Sequence, residues 1–167
     1  MEHYDIVVIG SGSGNTILDE EFADRRAAII DSGTFGGTCL NVGCIPTKMF
    51  VLPADLATSP SEAAKLGVRL QFRGASFTSI RDRIFGRIDP ISRSGLEYRQ
   101  GLENIDVYTD EAKFVDPHTI EVGDTRITAD QIVLAAGSRP RVPDVLGLDD
   151  PSLAGWIHTS EDRKSVV

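Results

Sequence analysis

The run "YDIVVIGSGSGN", Tyr4 to Asn15, constrains the fold of this chain more than any other stretch. Ile6 to Ile9 are β-branched without interruption and end at Gly10, which reads as a short buried strand closed by a glycine turn. A helix is expected from about Gly14 to Arg25, with Leu18 and Phe22 one turn apart and facing inward. "AAIID", Ala27 to Asp31, then reads as a second buried strand. Strand, turn, helix and strand in that order predict an α/β fold with a Rossmann-like opening.

A dinucleotide fingerprint between strand and helix needs glycine for a tight turn and glycine again so that backbone amides can approach a pyrophosphate. A third small residue is needed where helix and strand pack. Gly10 and Gly12 take the first two places, and Asn15 stands at the third with Gly14 beside it. A helix start behind the glycines would add amides and partial positive charge. Asp31, at the end of the second strand, is placed to accept hydrogen bonds from a ribose. The bland alternative is a flexible turn. A phosphate loop is excluded, because no Gly-Lys-Ser/Thr follows the glycines.

The remaining chain divides by texture. A helix is expected from about Thr38 to Ala57, then a looser stretch with Pro53 and Pro60, then one long helix or two from Phe77 to Glu103, interrupted at Asp89-Pro90. Four short runs, "IDVYT", "AKFVD", "TIEVG" and "RITAD", alternate between turn residues and predict an antiparallel meander. "QIVLAA", Gln131 to Ala136, returns to a continuous apolar strand. From Arg139 onward, with Pro140, Pro143 and Pro151, no long element is expected.

At 167 residues one domain is the ceiling, and a formal charge of -8 argues against nucleic acid or anionic lipid as partners. The one basic cluster, "RDRIFGR", reads as the solvated face of a helix. The apolar runs are far too short for a membrane span, and the acidic start "MEHYD" lacks the pattern of a leader, so a cytoplasmic location is expected.

The chain's two cysteines, Cys39 and Cys44, fall in "GGTCLNVGCIPTK". Buried free thiols and half of a metal site compete with redox chemistry. A structural zinc site wants four ligands, and His3, His118 and His158 lie in unrelated segments, so no metal is expected. As a structural staple the pair would be poor, since a ring of about six residues gives roughly 2 kcal/mol by chain entropy. Residues five apart on an ideal α-helix have Cα atoms about 8.6 Å apart, beyond the roughly 7 Å limit for a disulfide. A bridge would therefore distort the helix start, which Gly43 would permit. A helix N-terminus near Thr38 would favour a thiolate, and Lys48 lies one turn beyond Cys44. These features point to a dithiol that cycles.

With the glycine loop, Asp31 and the thirteen-residue cysteine motif on one chain, the sequence resembles the pyridine nucleotide-disulfide oxidoreductases, and "IVLAAGSRP", Ile132 to Pro140, resembles a second signature of that family. "GSGSGNTILDE", "FGRIDPI" and "NIDVY" are most similar to its mycothione-reducing branch. The resemblance implies an FAD-binding domain with a parallel sheet, helices and a three-stranded antiparallel meander. It implies Cys39 as the thiol that attacks the substrate disulfide, Cys44 as the thiol against the flavin, and Lys48 as the lysine beside the flavin ring. Gly10, Gly12, Ser13, Gly14, Asp31, Gly37, Thr38, Ala136 and Gly137 match FAD-contacting positions, with Cys39, Cys44 and Lys48 also beside the cofactor. By the same resemblance, electrons pass from NADPH to FAD, to the Cys39-Cys44 disulfide, and on to a low-molecular-weight disulfide such as mycothione. The parent enzyme is expected to be a homodimer.

The expected division is 1–150 for the N-terminal part of the FAD domain and 151–167 for a truncated tail leading toward an NADPH domain absent from the chain. The 167 residues alone are therefore expected to have little turnover. A sibling acting on glutathione disulfide or lipoamide is the nearest alternative, and a non-catalytic flavin-binding fragment is the other.

Overall fold

The computed structural model of the chain describes residues 1–153 and 155–166. They form two compact units, Met1–Asn41 with Pro90–Ser138, and Val42–Asp89 with Arg139–Val167.

The first unit is built on one mixed sheet. Its strands β1 (Glu2–Ile9), β2 (Ala27–Ile30), β3 (Ile105–Tyr108), β4 (Ala112–Asp116), β5 (Thr119–Val122) and β6 (Thr125–Leu134) lie in the order β3-β2-β1-β6-β5-β4. β1 runs parallel to β2 and β6, and β2 runs parallel to β3, whereas β6, β5 and β4 alternate direction. Ile6, Val7, Val8 and all of β2 are buried, as befits parallel strands covered on both faces. One core gathers Tyr4, Val7, Ala28 and Ile30 with Ile120, Val122, Ile127 and Ala129. The other gathers Ile6, Val8, Ala27 and Ile29 with Leu18 and Ile105, and Phe22, Phe35 and Leu102 pack against it. Each buried Val, Leu or Ile side chain among them contributes roughly 1.5–3 kcal/mol by leaving water.

The meander has three strands, as the family resemblance implies, and not the four runs read from the pattern. "IDVYT" becomes β3 and pairs parallel with β2, Ala27 opposite Ile105 and Ile30 opposite Tyr108. Asn104 directs it there: its carbonyl accepts from Ala27 N at 2.8 Å, and its amide donates to the carbonyls of Phe22 and Arg25 at 3.1 Å each. "RITAD" and "QIVLAA" fuse into β6, whose first residues pair with β5 while Ile127 to Leu134 pair with β1.

The helix expected over Gly14 to Arg25 does not form. Two 3₁₀ turns, Ser13–Ile17 and Glu20–Phe22, take its place. Side chains here satisfy the backbone locally and so compete with helical bonding. Asn15 Nδ2 donates to the carbonyls of Ser11 and Gly12 at 2.6 Å each, Thr16 donates to the Ser13 carbonyl at 2.8 Å, and Asp19 accepts from Glu21 N at 3.0 Å. Gly14, at the start of the expected helix, lowers helix propensity further. Leu18 still turns inward and is buried.

The single helix expected over Thr38 to Ala57 is instead two, α1 (Gly37–Asn41) and α2 (Cys44–Lys65), separated by Val42 and Gly43. α2 also runs through Pro53 and Pro60, where a looser stretch was expected. Proline at position 60 removes the N–H that would serve the Leu56 carbonyl, and Ser59 Oγ donates to that carbonyl at 2.7 Å instead. α3 (Phe77–Gln100) is one helix with Pro90 inside it. Burial of Ile84, Phe85 and Ile88 before the proline offsets its cost, and Ser92 after it bonds to the Phe35 carbonyl. Arg81 to Arg87 lie on this helix. Among the described residues no helix is long and apolar enough to cross a membrane.

Tyr4 closes one core against charge. Its hydroxyl donates to Asp106 Oδ2 at 2.8 Å and shares a hydrogen bond with Tyr108 at 2.7 Å, while the Arg26 guanidinium lies 4.7 Å from the ring centre. Burial first, then the bonds to Tyr108 and Asp106, push the phenol well above its ordinary range. Tyr4→Phe should cost about 0.5–1.5 kcal/mol in urea unfolding at pH 8, because the hydroxyl's bonds to the exposed Asp106 and the half-buried Tyr108 are lost. The neutral phenol's contribution is full below the unfolded pKa of about 10 and fades as pH rises through the higher folded value. Wild-type stability should therefore fall more steeply than that of the variant above about pH 10.

Candidate functional site

The turn after β1 is held by contacts that only glycine permits. Gly10 has φ +115°, and a Cβ on it would lie 2.1 Å from the Ala135 carbonyl oxygen. A Cβ on Gly14 would lie 2.2 Å from the Ala135 Cβ. Gly37, at φ +67°, would place one 2.5 Å from the Gly12 Cα. The reverse substitution is different: a Cβ on Gly12 would meet the Gly37 Cα at 3.5 Å, an ordinary contact. The turn is thus pressed between the end of β6 and the first residue of α1, so the glycine loop and the cysteine motif share a backbone contact.

Polar groups fix this arrangement. Ser11, 2% exposed, donates from its N–H to Asp31 Oδ2 at 2.8 Å and from its hydroxyl to the same oxygen. The Ser11 oxygen also accepts from Gly36 N at 2.8 Å. Asp31 Oδ1 accepts from Gly33 N at 2.8 Å. A carboxylate offers about four acceptor positions, so the three bonds leave Asp31 one to offer a ligand hydroxyl. Arg99 of α3 braces the 3₁₀ turn through the carbonyls of Leu18 at 2.9 Å and Asn15 at 3.1 Å.

Of the expected site residues, Gly10, Gly12, Gly14, Asp31 and Gly37 converge here. Ser13 opens the first 3₁₀ turn, Thr38 and Cys39 are exposed on α1, and Ala136 and Gly137 are exposed just past β6, with Gly137 at φ +72°. Cys44 opens α2 and Lys48 follows one turn later, both exposed and both in the second unit. Gly43, between the helices, has φ -112° and ψ -109°, and its carbonyl receives the first α2 bond from Thr47 N at 3.0 Å. Among the described residues no group of three or more His, Cys, Asp or Glu side chains could hold a metal ion.

Sequence reasoning missed Ser11 and Arg99. Ser11 carried a weak signal, a hydroxyl between two required glycines. Arg99 carried none, because its partners are carbonyls 84 and 81 positions away. The residues present fit a dinucleotide: a tight glycine turn with Ser13, Thr38 and Gly137 exposed beside it, and an acid one strand away with acceptor capacity left. No long helix stands behind the loop, so a macrodipole adds nothing there.

Comparison with known proteins decides the family. The pattern of the pyridine nucleotide-disulphide oxidoreductases matches residues 4–165. The chain belongs to that family. Its enzymes are NAD(P)H-dependent flavoproteins, and membership implies FAD and NADPH. Mycothione reductase of Mycobacterium tuberculosis (strain ATCC 25618 / H37Rv) is 49% identical over 152 residues, which cover 87% of this chain and 33% of that protein. Glutathione reductase of Nostoc sp. is 33% identical over 151 residues, covering 87% of this chain and 32% of the relative. Among solved structures, the Cu(II) complex of the HOCl-induced flavoprotein disulfide reductase RclA from Escherichia coli matches with a TM-score of 0.71 and 27% identity, over 87% of this chain and 31% of that one. The chain spans about a third of the length of the curated relatives it matches.

The glycine geometry separates stability from binding. Gly37→Ala should lower stability by more than about 1–3 kcal/mol, because a strained φ adds to a backbone clash. Gly12→Ala should leave the melting temperature nearly unchanged yet weaken FAD at least tenfold, since its methyl fills the surface a phosphate would approach. Thermal unfolding monitored by circular dichroism and flavin-fluorescence titration check the two outcomes.

Proposed function

We propose that this chain is the FAD- and dithiol-bearing part of a disulfide reductase of the mycothione-reducing branch. The observation that carries the reading is the Gly12–Gly37 approach, which joins the dinucleotide loop to the cysteine motif. In this reading residues 1–150 are the N-terminal part of the FAD domain and 151–167 lead toward the region where NADPH would bind. The enzyme is a cytoplasmic homodimer that maintains thiol redox balance. The 49% identity to mycothione reductase supports mycothione over glutathione disulfide or lipoamide as substrate.

Gly12, Ser13, Gly14, Gly37 and Thr38 would hold the diphosphate through their backbone, with Gly10 making the turn beside it while its own N–H donates to the Ile30 carbonyl at 2.8 Å; Asp31 would accept from the adenosine ribose, and Ala136 and Gly137 would flank the cofactor. When bound, FAD supplies the two-electron transfer that returns the protein disulfide to the dithiol. The chain's own thiols do the rest. The Cys39 thiolate attacks one sulfur of the substrate, forming a mixed disulfide and releasing one thiol after protonation. Cys44 then attacks Cys39 Sγ, closing the Cys39-Cys44 disulfide and releasing the second thiol. Lys48 carries positive charge one turn beyond Cys44, on the side where a thiolate must be stabilised.

The dithiol half of this cycle can be measured without cofactor turnover. Pre-reduced chain, freed of reductant, is mixed with mycothione, glutathione disulfide or lipoamide, and thiol release is followed with mass analysis. Two thiols per chain should appear, fastest with mycothione. Cys44→Ser should stop at a mixed disulfide on Cys39, and Cys39→Ser should react at least a hundredfold more slowly. A mixed disulfide trapped on Cys44 would reverse the two roles.

A further inference from the structure

The Ser11 hydroxyl lies at the centre of three segments that are far apart in sequence. It donates to Asp31 at the end of β2 and accepts from the backbone N–H of Gly36, the residue that opens "GGTC". Its own backbone N–H makes a second bond to the same Asp31 oxygen at 2.8 Å. At 2% exposure, water cannot replace these partners. Gly36 has φ +105° and Gly37 has φ +67°, so two consecutive residues hold a conformation that the chain does not keep without local bonds. A bond from Gly36 N–H to a hydroxyl is neutral and weak by itself. It strengthens when that hydroxyl donates onward to a carboxylate, because each member of a hydrogen-bond chain polarises the next.

We infer that Ser11 is a positioning residue, a hydroxyl relay through which the Asp31 carboxylate fixes the turn that delivers Cys39. Asp31 thus has two tasks: one oxygen is given over to the relay, and the other keeps the acceptor position open to a ligand. The relay deepens the proposed function, since its value to nucleotide binding rests on that reading, while its effect on the Gly36 turn does not.

The experiment is residue-resolved amide exchange by NMR on the 167-residue chain without nucleotide, with circular dichroism to confirm folding. Ser11→Ala should speed exchange at Gly36 at least tenfold, and Ser11→Thr, which keeps the hydroxyl, should stay within about threefold of wild type. Asp31→Asn should speed the same amide several-fold. Combined with Ser11→Ala, it should add less than about twofold at Gly36, because the relay is already cut. Iodoacetamide labelling of Cys39 should change in the same order across the variants. Wild-type exchange at Gly36 in Ser11→Ala, or a full independent effect of Asp31→Asn in that background, would overturn the relay. If Ser11→Ala does not fold, the Ser11→Thr and Asp31→Asn comparison at Gly36 decides: equal exchange in Asp31→Asn and wild type refutes it. A separate titration with FAD should show affinity lost about tenfold in Ser11→Ala and restored in Ser11→Thr. Failure of wild type to bind FAD would refute the cofactor reading and leave the relay to be judged on exchange alone.

Discussion

The first unit depends on backbone meeting backbone with no side chain between. At Gly10 the chain turns past the Ala135 carbonyl at a distance that no Cβ could share, and at Gly37 it turns against the Gly12 Cα in the same way. These approaches are possible because β1 and β6 are hydrogen-bonded neighbours whose ends open at the same level, Ile9 opposite Leu134, with Ala135 N bonded to the Ile9 carbonyl at 2.8 Å. The order β2-β1-β6 therefore sets these approaches, and the glycines are its consequence at the strand ends. A loop so close to its neighbours has little freedom left to lose when a ligand arrives, and this preorganisation favours tight binding.

Close approach has a polar cost, and the unit meets it with side chains rather than with a helix. A long helix after the glycines would have turned its first unpaired N–H groups toward the loop and added a dipole. Instead Asn15 and Thr16 draw the backbone into 3₁₀ turns, Asp31 and Ser11 take amides on one side, and Arg99 takes carbonyls on the other. Among the described residues no buried side-chain nitrogen or oxygen is left without a partner. The electrostatic consequence is definite. Attraction for an anion at this loop is left to individual amides, which act at hydrogen-bond range.

Most of the sheet was legible because burial leaves a strong mark: "IVVI" and "AAII" carry unbroken apolar runs, and β4, β5 and the start of β6 carry alternation and turn residues. The site was legible where glycine or cysteine is demanded by geometry or chemistry. The first helix was misread because Leu18 and Phe22 have helical spacing and are also inward-facing in a 3₁₀ path, so periodicity alone does not separate the two. β3 was assigned to the wrong neighbours because its alternation resembles that of the meander, and its partner is chosen by Asn104, a polar residue outside the strand. α2 passed through Pro60 because a neighbouring serine replaced the missing donor. Each miss involves a polar side chain acting on backbone, which hydrophobic pattern does not report.

The break between α1 and α2 bears on the chemistry of the cysteines. A continuous helix would hold positions five apart at about 8.6 Å, beyond the reach of a disulfide. The helices stop at Asn41 and resume at Cys44, so Val42 and Gly43 are released from that spacing and the helical bar to bonding does not apply. A ring of about six residues also gains little from chain entropy, roughly 2 kcal/mol, so nothing in the loop holds such a bond strongly oxidised. Both cysteines are exposed to solvent. Short ring, broken helix and solvent access are poor properties for a structural staple, and they suit the cycling dithiol proposed above.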